Sequence, residues 1–179
     1  MVLALWLTRL GVRVRIVDKT AEPGTTSRAL AVQARTLELY SQIGLAGEVV
    51  ARGRKMAAIN LWTAGKRVAR AVLGEMGAGI SPFPYALIFP QDEHERLLID
   101  RLAAAGVAVE RRTELMDFDQ ANGGVRARLK RPDGAIEACA ASYIVGCAGE
   151  QAAAMLSYGV LPTDVANAIP SVLLRLNGM

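Results

Sequence analysis

The chain has 179 residues, 52% of them apolar and 21% charged, with a formal net charge of +4 at pH 7. That length suits a domain able to bury roughly 70% of its unfolded surface, and no apolar stretch reaches the roughly 20 residues that cross a bilayer as a helix. The positive charge is spread, apart from a small cluster at Arg52, Arg54 and Lys55 without interleaved aromatics, so the sequence predicts no nucleic-acid surface and no membrane span.

Val2 to Leu10 is an apolar helical run that closes at Gly11, and Val12, Val14, Ile16 and Val17 form a β-rich strand ending in Asp18. The apolar start lacks a basic leader and a small-residue cleavage site, and Arg9, Arg13 and Arg15 follow at once, which argues against a secretory signal. Lys19 to Ser27, with Glu22-Pro23-Gly24, reads as a loop. Gln33 to Ile43 carries Leu37, Leu39, Tyr40 and Ile43 at helical spacing and stops at Gly44, and Ala46 to Arg52 is a second short helix. Ala57 to Thr63 and Lys66 to Leu73, parted by Ala64-Gly65, predict a β-hairpin, while Gly74 to Pro84 is irregular.

Ala86 to Phe89 is a short strand stopped by Pro90, and Gln91 to Ala105 an amphipathic helix with Leu97, Leu98 and Leu102 inward and Asp92, Glu93 and Glu95 at its positive end. It ends at Gly106, and Val107 to Glu110 returns as a strand. The period then changes to two. Thr113 to Gln120, Val125 to Arg131 and Ala135 to Ala140 alternate as strands joined by Asn122-Gly123-Gly124 and Pro132-Asp133-Gly134. Ser142 to Cys147 is apolar enough to predict a buried parallel strand. Glu150 to Ser157 is a helix candidate, and the remaining residues, with Pro162 and Pro170, give no assignment. Fold class is thus α/β, one domain with an inserted hairpin.

Asp18 is the most specific position. A strand-end acid about 20 residues after a glycine-rich phosphate turn takes the ribose hydroxyls in dinucleotide folds, and its two oxygens accept both hydroxyl protons. Counting back from Asp18 places that turn at or before Met1, so the ribose acid stands here without the glycines. The alternative is a turn carboxylate that ends any strand. Arg28, between strand and helix, suits a diphosphate bidentately, or is a solvated loop arginine. Gln91, after Pro90 at a helix mouth, lies on the side of the sheet where nucleotides bind, or simply caps the helix.

His94, the only histidine, is read as part of a solvated face without a role, and no hydrolytic triad is supported for Ser27, Ser81 or Ser157. Trp6 and Trp62 are read as core or sheet-face packing. Cys139 and Cys147 have no metal or redox spacing and predict buried, reduced thiols in the cytoplasm.

Ile16-Val17-Asp18-Lys19, Ser27-Arg28-Ala29, Gln33 to Glu38, Pro90 to Leu98 and Tyr143 to Cys147, in that order, resemble the FAD-binding part of single-component aromatic-ring monooxygenases similar to para-hydroxybenzoate hydroxylase. The resemblance covers roughly Val2 to Gly149. It implies an incomplete Rossmann-like FAD-binding domain: a parallel sheet with helices, a three-stranded antiparallel β-meander and an inserted β-hairpin. Residues 1–149 form that domain without its first strand and glycine-rich turn, and residues 150–179 a divergent tail, as a shifted reading frame or recombined end would produce.

What the resemblance implies chemically is hydroxylation of a small aromatic substrate with FAD, NADPH or NADH as reductant, and O2. By similarity Asp18 serves the adenosine ribose, Arg28 the pyrophosphate or ribityl region, Gln91 the ribityl chain or flavin edge, and Leu115 the adenine through its backbone, with Lys19 also among the cofactor-binding residues. Gly149 belongs to the family's second motif, where Ala148 replaces the expected acid. The hairpin Ala57 to Leu73 would begin the substrate-side sheet, and a third motif would lie beyond Met179. The expectation is a poor flavin binder, inactive as this isolated chain. Two alternatives remain open: a non-catalytic interaction protein self-associating through the sheet edge left by the missing strand, and an NAD(P)-binding domain.

Overall fold

The computed structural model describes residues 1–23, 31–121, 123–147 and 171–176, so the expectations for Arg28, Gly149 and the helix at Glu150 to Ser157 lie outside the described residues. The chain divides into two compact units, one formed by Met1–Pro23 and Leu98–Met179, the other by Gly24–Leu97.

In the first unit, helix α1 (Val2–Arg9) leads into strand β1 (Val14–Asp18). Gly11 has φ +75°, a left-handed turn that a residue with a side chain adopts only under strain, and Val12 N donates to Leu7 O at 2.9 Å as the chain reverses into the strand. Ala4, Ile16 and Leu102 form a buried cluster against Leu5, Leu7, Val14, Val107 and Val109, which seats the helix on the strand.

The second unit holds β2 (Ala31–Val32), β3 (Arg54–Lys55), β4 (Ala58–Thr63), β5 (Lys66–Val72) and β6 (Leu87–Ile88), and five further strands join β1 in the first. These are β7 (Val109–Glu110), β8 (Glu114–Ala121), β9 (Gly124–Lys130), β10 (Ile136–Gly146) and β11 (Ser171–Leu176). The six-stranded sheet has the order β7-β1-β11-β10-β9-β8. β1 runs parallel to β7, with Ile16 opposite Val109 and Val17 opposite Glu110. The meander β8-β9-β10 is antiparallel, as its turns predict. Along β9, Val125, Ala127 and Leu129 are buried and Arg126, Arg128 and Lys130 exposed, which sets the register by period two.

Three expectations change here. Ser142 to Cys147 is no separate buried parallel strand: its first five residues continue β10, antiparallel to both β9 and β11, and Tyr143 is 62% exposed. An apolar run does not reveal which of its faces is covered. Cys147 is accordingly exposed, whereas Cys139 is buried as expected. The C-terminal residues left unassigned contain β11, which pairs with β1 from Asp18 opposite Ser171 to Val14 opposite Arg175, and with β10 on its other side. Strand β1 is therefore hydrogen-bonded on both sides, to β7 and to β11. Because β1 and β10 are each antiparallel to β11, they share the direction of β7, and β11 is the reversed strand among them.

In the second unit, β6 is the centre of a small sheet ordered β2-β6-β3. Helix α2 (Ala34–Gln42) buries Leu37 and Tyr40 while Leu39 stays exposed, and α3 (Ala46–Arg52) buries Ala46 and Val49. The β4-β5 hairpin forms as read, its turn at Ala64 and Gly65 having φ +48° and +74°, the doubly left-handed geometry of a two-residue loop. Trp62 on it is 62% exposed, so the packing expected of it is absent within this unit. Helix α4 (Gln91–Ala104), which belongs to the second unit through Leu97 and to the first from Leu98, buries Leu97, Leu98 and Leu102 as expected.

Candidate functional site

Asp18 closes β1 at the end where the parallel strands β1 and β7 both finish, the edge at which open α/β sheets bind ligands. It is buried, at 8% exposure, and its carboxylate is held on both oxygens. Oδ1 accepts from Thr20 N at 2.8 Å and Thr20 Oγ1 at 2.6 Å, while Oδ2 accepts from Arg111 Nη1 at 3.2 Å. Arg111 Nη1 also donates to Thr20 Oγ1 at 3.1 Å. A carboxylate with this many donors is fixed in rotamer.

The segment after β7 crosses the end of β1 and builds the rest of the cluster. Thr113 N donates to Asp18 O at 3.0 Å, and Arg112 N to Thr20 O at 3.1 Å with Arg112 itself at φ +54°. Thr113 is buried and its Oγ1 donates to Arg111 O at 3.2 Å. Thr20, Arg111 and Thr113 carried no sequence signal. Arg111 lies 93 residues from Asp18, and no local periodicity encodes that meeting.

Lys19 follows as an exposed residue beside this cluster. Leu115 is buried on β8 opposite Leu129. Gln91 belongs to the second unit as the first residue of α4, behind Pro90.

His94 contradicts the expectation of a solvated face. Its Nε2 lies 2.9 Å from Tyr40 Oη, and its ring stands edge-on to Tyr40 at 5.5 Å and tilted against Phe89 at 5.3 Å. Burial pushes its basicity below the usual histidine range. Flanking acids made the turn look solvated, but one face of it packs inward.

The second unit also contains an apolar cavity of about 500 Å³, bordered by Met56, Ile59, Leu73, Met76, Phe83 and Tyr85, with Gln33 and Arg35 as its polar residues. Ser81 Oγ donates to Glu38 Oε1 at 2.7 Å and Gly77 N to Pro84 O at 3.0 Å, which tie down the turn beside it. Among the described residues no group of three or more His, Cys, Asp or Glu is placed to hold a metal. Among them, too, no helix is long and apolar enough to cross a membrane.

The donor set around Asp18 fits the sugar end of a dinucleotide, since a strand-end carboxylate with fixed orientation accepts hydroxyl protons.

The family model described as FAD binding domain matches residues 1–168. The 6-methylpretetramide 4-monooxygenase of Streptomyces rimosus is 40% identical over 149 residues, covering 83% of this chain and 26% of that protein. A flavin-dependent monooxygenase of Mycobacteroides abscessus is 32% identical over 165 residues, covering 88% and 34%. The crystal structure of aklavinone-11 hydroxylase with FAD and aklavinone superposes with a TM-score of 0.76 at 29% identity, covering 88% of this chain and 32% of that one. The chain thus spans about a quarter to a third of the length of the curated relatives named here. By the extent of the family match and the placement of Asp18 at the carboxyl end of β1, the chain belongs to the FAD binding domain family of the flavin-dependent aromatic monooxygenases.

Proposed function

We propose that this chain supplies the adenosine side of an FAD site in a monooxygenase that hydroxylates an aromatic ring with NADPH or NADH and O2. The observation that carries the reading is the buried carboxylate of Asp18, held by Thr20 and Arg111 at the end of β1. FAD, when bound, supplies electron transfer from the nicotinamide and the activation of oxygen, and the protein orients it.

In this reading Asp18 accepts the ribose hydroxyls, with Lys19 adding positive charge nearby. Arg111 keeps Asp18 aimed, and the backbone at Leu115 faces the adenine. Gln91, Arg28 and Gly149 serve the ribityl and pyrophosphate region. The apolar cavity bordered by Met56, Phe83 and Tyr85 suits part of a planar aromatic substrate, because apolar walls with a few polar groups bind such rings by burial. Relatives named for 6-methylpretetramide and aklavinone support a polycyclic aromatic compound as the substrate class. Cytoplasmic location goes with this reading, as nicotinamide-dependent chemistry requires its coenzyme.

Ligand-dependent melting of the 179-residue chain tests it. FAD and ADP each raise the midpoint, by about 5–10 °C at a hundred times the dissociation constant. No shift with either FAD or ADP would refute the reading. A shift with NADPH and none with FAD or ADP would make this a nicotinamide-binding domain instead.

A further inference from the structure

We propose that the Tyr40–His94 hydrogen bond is a positioning latch that holds the first turn of α4, and with it Gln91, in the orientation that meets the flavin side of the cofactor. The proposal rests on the reading of Gln91 given above, and both latch residues lie in the second unit.

Three elements converge on the His94 ring. Tyr40, 3% exposed, comes from the inner face of α2. Phe89 ends the chain leaving β6 and is fully packed. His94 itself stands three residues after Gln91, so the two side chains leave neighbouring sides of the same helix turn. His94 N donates to Pro90 O at 2.9 Å, which closes that turn onto the residue before Gln91.

The ring contacts alone would hold α4 close to α2 while leaving its first turn free to rotate by small amounts. A single directional bond at 2.9 Å removes that freedom, because Nε2 and Oη must stay in line. Burial supports this arrangement from both partners: it holds the Tyr40 phenol proton on, with its pKa raised to about 12, and keeps the imidazole neutral. Phe89 and Tyr40 flank the half-buried ring, which limits the water that can replace a lost partner. An apolar residue at position 94 would pack without fixing the turn. The helix start is where orientation matters most, since the first turn has unpaired backbone amides and frays before the rest.

The test uses the full 179-residue chain with Tyr40→Phe, His94→Phe and His94→Gln, read by hydrogen exchange and by FAD titration. Tyr40→Phe keeps the ring and removes only the hydroxyl. The expected result is exchange of the His94 to Leu97 amides accelerated about fivefold to tenfold, the loss of one net hydrogen bond, with the β8 and β9 amides unchanged. FAD affinity falls by a similar factor in Tyr40→Phe and His94→Phe, and His94→Gln, which retains a polar group, recovers part of it.

A double-variant cycle separates positioning from general stability: in a Gln91→Ala background Tyr40→Phe has no further effect on FAD affinity. Additive losses, or exchange in α4 that ignores Tyr40→Phe, overturn the latch. A melting decrease without any change in FAD affinity also overturns it, since that is what a purely structural contact produces. If the unaltered chain binds no FAD, the flavin role of Gln91 falls, while the exchange data still decide whether the hydrogen bond orders the helix start.

Discussion

Replacing Asp18 by Asn changes one oxygen to an NH2 group at nearly constant shape, and the geometry makes the consequence calculable. The carboxylate accepts from Thr20 N, Thr20 Oγ1 and Arg111 Nη1, and the side chains of Asp18 and Arg111 are 11% and 18% exposed, so water replaces lost partners poorly. If the amide oxygen faces Thr20, its NH2 meets the Arg111 guanidinium, donor against donor. If it faces Arg111, the NH2 meets the Thr20 amide. The first arrangement forfeits a charge-assisted bond worth about 1.5–3 kcal/mol, and the second orphans a buried donor at about 1–3 kcal/mol. Either way Asp18→Asn costs about 2 kcal/mol, a fall in melting midpoint of about 4–8 °C for a chain of this length. Urea unfolding with an unchanged m-value checks that stability alone has moved. The same change removes the ionised acceptor for the ribose, and ADP affinity drops about tenfold or more. A variant that melts within about 1 °C of the parent would refute the bonding argument, and one that binds ADP equally well would refute the ribose assignment.

The guanidinium of Arg15 grips two carboxylates, with Nε and Nη2 on Glu110 at 2.7 and 2.8 Å and Nη1 and Nη2 on Glu137 at 2.5 and 3.0 Å. Arg15 holds the Glu137 carboxyl below its usual range, so this contribution to stability is present above the carboxyl's unfolded pKa and is lost as pH falls through the lower folded value. Arg15→Met is expected to cost about 2 kcal/mol at pH 7, less than a fully buried pair because Glu110 is partly solvated, and to flatten the decline in melting midpoint below about pH 4.5. A decline as steep as the parent's would count against the pairing. Gly53→Ala places a Cβ 2.7 Å from Leu87 Cγ and Cδ2, and Leu87 is wholly buried. The expected loss is about 1–3 kcal/mol, relieved by Leu87→Ala in the same chain, whereas a neutral Gly53→Ala would show that this small sheet repacks freely.

Much of the architecture was legible before any coordinates. Gly11, Gly44 and Gly106 ended helices, the alternation of Val125, Ala127 and Leu129 against Arg126, Arg128 and Lys130 marked a half-buried strand, and Ala64-Gly65 marked a hairpin. These signals are local: a helix or turn is encoded within a few residues by side-chain period and by which residues tolerate positive φ. The placement of Asp18 at the end of its strand belongs to the same class, and with it the family expectation that the comparisons bear out.

The tertiary structure decided what local period cannot carry. Asp18 is surrounded by Thr20 and by Arg111 and Thr113, which reach it only because β7 pairs in parallel with β1 and the following residues cross the strand end. His94, set among acids in sequence, turns inward because Tyr40 and Phe89 provide a partner and walls from elsewhere in the chain. Strand β11 enters between β1 and β10 in the reversed sense, and β10 runs on through residues that looked like a strand of their own. A strand's sequence states that it pairs, while direction, register and neighbour depend on which backbone edge lies open when the sheet assembles.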